Sequence, residues 1–93
     1  MNRYEVLYII LNELDDAAKE AVIAKYETLI TSLNGTVEKT EKWGTKRYAY
    51  PIDYKTEGYY VLMTFTADPT VPKELERQMG ISDEIVRKMV VRL

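Results

Sequence analysis

The sequence contains no cysteine and no histidine. Without cysteine there is no disulfide and no thiolate nucleophile. Without either residue the common zinc ligand sets and imidazole acid–base chemistry are excluded. Glycine and proline are sparse, four and three in 93 residues, so each one present marks a place where the backbone does something particular. No apolar run is long enough to span a bilayer, and the opening Met1-Asn2-Arg3-Tyr4-Glu5-Val6 lacks the charged-then-apolar pattern of a signal peptide. The expectation is a cytosolic protein that does not associate with membranes. A surplus of positive charge is missing as well: 13 Lys and Arg stand against 15 Asp and Glu, for a net charge of −2. The sum alone therefore makes no case for nucleic acid. A Gly-rich phosphate loop, a dinucleotide fingerprint and a calcium-loop spacing are all absent, so no enzyme, cofactor, metal site or small-molecule substrate is expected.

What is present reads as one domain over residues 1–93. Asn2 to Leu11 alternates as a strand, with Tyr4, Val6, Tyr8 and Ile10 on a face expected to be buried. Arg3, Glu5, Leu7, Ile9 and Leu11 share the other face. Asp15 or Asp16 is placed to cap a helix of some eighteen residues that ends at Asn34-Gly35. Its apolar stripe is Ala18, Val22, Tyr26, Leu29 and Leu33, widened by Ala21 and Ile30. Thr36 to Ile52 is a long strand whose charges and Pro51 suit a sheet edge. Gly44 within it suggests a bulge. The polar run Lys55-Thr56-Glu57 before Gly58 suggests the reversal. Tyr59 to Ala67 is the third strand, with its odd positions under the helices. Thr70 is a candidate cap for a second helix that buries Val71, Leu75 and Met79 and ends at Gly80. Ile85 to Leu93 is the last strand; its parity is ambiguous because of Arg87, and the expectation is that Met89 and Val91 point inward.

Strand, helix, strand, strand, helix, strand is the split β-α-β order of a ferredoxin-like α+β sandwich: a four-stranded antiparallel sheet with two helices on one face. The first and third strands should be central. The open face should then present Arg3, Glu5, Leu7 and Ile9 beside Lys88 and Arg92, with Arg3 and Arg92 forming a small cationic corner.

The acids crowd the first helix (Glu13, Asp15, Asp16, Glu20, Glu27), while basic residues gather at 39–47 and 87–92. Lys42, Trp43, Lys46, Arg47, Tyr48 and Tyr50 interleave cations with rings, a pattern that serves phosphates and unpaired bases. The same tyrosines and Trp43 could equally pack in a core. Glu57-Gly58-Tyr59-Tyr60-Val61 departs from the third-strand signature of the RNA-recognition motif, with Glu57 where a basic residue belongs, so stacking across the sheet in that manner is not expected.

Arg3-Tyr4-Glu5-Val6 with Ile9 to Asn12, the Asn34-Gly35 helix end, Trp43-Gly44 followed by Lys46-Arg47-Tyr48-Ala49-Tyr50-Pro51-Ile52, Gly58-Tyr59-Tyr60, and Val86-Arg87-Lys88-Met89-Val90 together resemble the family of the sixth protein of the bacterial small ribosomal subunit. The resemblance runs the length of the chain. A leucine is common in that family where this sequence has Tyr48. Some members carry a long acidic tail, and nothing attributed to that tail is carried over here. The resemblance implies a ferredoxin-like domain that helps assemble the central domain of small-subunit ribosomal RNA, as a heterodimer with the eighteenth small-subunit protein. On this reading Arg3, Lys46, Arg47, Lys88 and Arg92 contact RNA phosphates. Lys42, Trp43, Leu7 and Ile9 contact RNA or the partner. The alternative is a homodimeric regulatory or small-ligand domain that associates through its open face. An enzyme built on tyrosine and lysine is the third reading.

Overall fold

The computed structural model describes residues 1–52 and 55–93, and for residues 49, 51, 52 and 55 the course of the backbone alone. The element order is β1 (Asn2–Leu11), α1 (Asp16–Ser32), β2 (Thr36–Ile52), β3 (Lys55–Ala67), α2 (Thr70–Gly80) and β4 (Ile85–Arg92). The sheet is antiparallel in the order β2-β3-β1-β4. The two apolar strands are thus central and the charged strand lies at an edge, as the sequence implies.

Alternation in β1 and β3 makes the core. Tyr4, Val6, Tyr8 and Ile10 stand beside Val61, Met63, Phe65 and Ala67, all buried. Val22, Ile23, Tyr26 and Ile30 of α1 and Val71, Leu75 and Met79 of α2 cover them. Burying a side chain of this size stabilises the fold by roughly 1.5–3 kcal/mol. Asp15 caps α1, its carboxylate accepting from Ala18 N at 2.7 Å. Asn34 ends it in the left-handed conformation, φ 66°. Ala21 lies on the outer side of the helix and Leu33 just past its end; both are exposed, and Ile23 takes the place in the stripe expected for Ala21.

Three local expectations are corrected. Lys55 to Gly58 is not a turn: it is the first part of β3, paired with β2 at Ile52↔Lys55, Arg47↔Glu57 and Lys46↔Gly58, with a shift of register between Arg47 and Ile52. Residues 53–54, which join β2 to β3, lie outside the described residues. Thr70 does not cap α2. Pro69 holds the cap position without a side-chain bond, and Asp68 Oδ1 instead accepts from Thr70 N and Thr70 Oγ1, both at 3.1 Å.

The third correction concerns β4. Met89 and Val91 point outward, 58% and 44% exposed, while Ile85 and Val90 pack against the core. The cause is a bulge: Ile9 pairs with Arg87 but Ile10 pairs with Ile85, which leaves Val86 as an extra residue. One inserted residue reverses the facing of everything beyond it.

Candidate nucleic-acid interface

Directly paired residues of an antiparallel sheet share a face, so the register assigns the charged side chains. Tyr4↔Arg92, Val6↔Val90 and Tyr8↔Lys88 put Arg92 and Lys88 on the helix-covered side. This overturns their expected place beside Arg3. Lys88 extends toward the C-terminal end of α2, its Nζ 3.6 Å from where a β-carbon on Gly80 would stand. A cation there opposes the negative end of the helix dipole. Arg92 donates to Asn2 Oδ1 at 3.2 Å.

Arg3 is on the open face as expected, without its corner. It faces Thr66 in β3 and is paired with Glu38, Nη2 to Oε1 at 3.1 Å. The Thr66 hydroxyl also donates to Glu38. That hydroxyl, and then Arg3, hold the Glu38 carboxyl below its usual pKa. Arg3 is therefore already neutralised.

The basic arm divides at a second bulge. Lys42 pairs with Val61 and Gly44 with Tyr60, so Trp43 is the extra residue, and Gly44 takes φ 84°. Positive φ is open to glycine without strain, which is why the bulge is built there. Before the bulge the β2 side chains reach back to α1. Thr40 Oγ1 donates to Glu27 Oε2 at 2.6 Å, and Lys42 Nζ to Glu20 Oε1 at 2.6 Å. The bond to Glu20 raises the Lys42 pKa. Lys42 thus serves the sheet–helix junction and is not presented with Lys46.

After the bulge Lys46 pairs with Gly58 and turns to the open face. Its ammonium lies 4.9 Å from the ring centre of Trp43, within cation–π range, and Trp43 is 43% exposed. Arg47 pairs with Glu57, which puts it on the opposite face from Lys46, and it is exposed there. Among the described residues neither Lys46 nor Arg47 is in an ion pair. Tyr50 is largely exposed. Tyr48 lies against Tyr60, ring centres 6.4 Å apart, and over Gly58. Its hydroxyl is buried without a hydrogen-bond partner among the described residues. Burial is the main reason its pKa is raised; Arg87 acts in the opposite direction.

Leu7 is half-buried, while Ile9, expected to be exposed, is buried, with Tyr48 close beside it. On the open face between β1 and β4, Leu7, Ile9, Arg87 and Met89 line a groove of about 270 Å³ that Lys88, lying between the last two in the chain, also borders. Arg87 and Tyr60, absent from the expected site, belong to this face. The period-two pattern of β3 alone gives Tyr60; Arg87 could not be placed without the bulge at Val86.

Among the described residues no group of acidic side chains could hold a metal ion, and no helix is long and apolar enough to cross a membrane. Comparison with known proteins places residues 3–92 within the family model of ribosomal protein S6. The chain is 48% identical over 92 residues to the small ribosomal subunit protein bS6 of Exiguobacterium sibiricum, covering 99% of this chain and 97% of that one. It is 40% identical over 93 residues to the bS6 of Alkaliphilus oremlandii, covering 100% and 98%. The solved structure of the 30S ribosomal protein S6 from Thermotoga maritima matches with a TM-score of 0.94 at 27% identity, over 99% of this chain and 87% of that one.

Proposed function

The chain belongs to the ribosomal protein S6 family of the small ribosomal subunit, and from that premise we propose that it binds the central domain of small-subunit ribosomal RNA jointly with the eighteenth small-subunit protein. The family is one of ribosomal proteins rather than enzymes, and its setting is the cytoplasmic ribosome. The observation that carries the RNA assignment is the pair Lys46 and Arg47. They are exposed at successive positions of the edge strand β2, Lys46 on the open face beside Trp43 and Arg47 on the other face, without an ion pair among the described residues. Cations outside an ion pair gain most from phosphate, because no internal pair must first be broken. Arg3 contributes at most by sharing itself with Glu38. Lys88, Arg92 and Lys42 act in the fold.

The apolar strip on the open face supports a protein partner. Leu7 and Ile9 with Met89 line the groove, and Val91 continues the exposed apolar surface. Apolar side chains grouped on one face gain from being covered. With a net charge of −2, the isolated chain has little general attraction for RNA, and a basic partner supplies what it lacks.

A gel shift on a central-domain RNA fragment, with and without the eighteenth protein, tests this. Binding should require or be strengthened by the partner, and Lys46→Ala/Arg47→Ala should weaken it at least tenfold. Binding by that double variant equal to the wild type would move the RNA surface elsewhere.

A further inference from the structure

The Trp43 bulge leaves a gap in the open face. Gly44 pairs with Tyr60, yet, its chain neighbours Trp43 and Thr45 aside, a β-carbon on Gly44 would meet no heavy atom of the described residues within 4 Å. The ring of Tyr60 therefore has no side chain opposite it on β2. On one side of the gap is Trp43, displaced from the ladder and 43% exposed. On the other is Tyr60, backed by Tyr48 at 6.4 Å between ring centres. Lys46 stands two residues on, with its ammonium 4.9 Å from the centre of the Trp43 ring.

We propose that the space over Gly44, between Trp43 and Tyr60, is a binding site for one unpaired nucleobase, with Lys46 on the flanking phosphate. This rests on the RNA-binding reading and adds to it that a base, not the backbone alone, is held. Two rings and an open glycine suit a flat ligand, and Lys46, in no ion pair among the described residues, suits a flat ligand that is also an anion. A nucleotide meets both demands. An aromatic side chain of a protein meets only the first. The site differs from stacking along the central strands, because its platform is made by an edge-strand bulge and one residue of β3.

Trp43 is the only tryptophan, so its fluorescence reports the site directly. The full chain is titrated with single-stranded adenine and uracil ribohexamers, and with a hexamer that keeps the sugar–phosphate backbone but lacks bases. The proposal expects saturable quenching, tighter for adenine, and at least tenfold weaker binding of the abasic strand. Tyr60→Leu should weaken the adenine hexamer roughly tenfold, and Tyr60→Phe should bind as the wild type; thermal melts establish that both variants fold. Equal binding of abasic and intact strands, or no effect of Tyr60→Leu, overturns the proposal. So does quenching that arises only on adding the eighteenth protein, which would give the gap to a protein side chain. If Lys46→Ala/Arg47→Ala weakens central-domain RNA while Tyr60→Leu leaves it unchanged, the base site falls and the phosphate surface stands. If no variant changes RNA binding, both fall.

Discussion

The hydroxyl of Tyr48 lies over the α-carbon of Gly58, so close that a β-carbon at Gly58 would collide with Tyr48 Oη and with Ile9 Cγ2. Glycine at this position, read from the sequence as part of a turn, is there because a ring crosses the strand. Gly58→Ala should therefore destabilise the protein by about 1–3 kcal/mol, the usual cost of overpacking. Gly58→Ala/Tyr48→Leu should recover part of that loss. Urea denaturation of the three proteins checks it; equal midpoints for Gly58→Ala and wild type would show that the ring moves aside freely.

The buried hydroxyls make a second prediction. Tyr8, Tyr26 and Tyr48 have side-chain oxygens without hydrogen-bond partners among the described residues. Burial, then the nearby Glu27, raise the pKa of Tyr8. A buried hydroxyl that bonds to nothing opposes folding, so removing it while keeping the ring should not hurt. Tyr8→Phe is expected to leave stability unchanged or raise it by about 1 kcal/mol, whereas Tyr8→Ala should cost about 3–5 kcal/mol by analogy with other large aromatic truncations. A substantial loss in Tyr8→Phe would mean that the hydroxyl is satisfied in solution.

Acid should reveal the pairing within α2. Arg77, with Gln78 second, holds the Glu74 carboxyl at about 2, against 4.5 for the free group. A carboxylate with a depressed pKa in the folded state contributes its stability above the unfolded value, and that contribution is lost as pH falls. The window is therefore pH 4.5 down to about 2. Glu74 is partly exposed, so solvent screening keeps the effect small. In denaturation profiles over this range, Glu74→Gln should lose less stability than the wild type. Parallel profiles would show that the contact is not maintained in solution.

Lysines at 46 and 88 should behave oppositely. Lys46→Ala should lower the salt dependence of RNA binding by about one unit in the slope of log K against log salt, with little change in stability. Lys88→Ala should leave RNA binding intact and cost about 0.3–1 kcal/mol of stability, through the lost cation at the end of α2. The reverse pattern would place the helix-covered side against RNA.

The sequence alone determined the elements and their order. Period two in β1 and β3, a capped stripe in α1, and charge with Pro51 in β2 each follow from local chemistry, and together they allow one sheet order. It also picked out Trp43, Lys46 and Arg47, because cations and rings were close together along the chain. Tertiary pairing alone decided the facing of Lys42, Arg87, Lys88, Met89 and Arg92. A strand alternates faithfully only while each residue has one partner, and the extra residues Glu38, Trp43 and Val86 become visible only in the register against β3 and β1. Each such residue reverses the strand's facing, so parity read along β2 or β4 by itself gives the wrong side from that residue to the next shift. Ile9 has the same lesson in another form: its exposure depends on the ring of Tyr48, thirty-nine positions away in the sequence, which comes to rest beside it only once β3 lies between them.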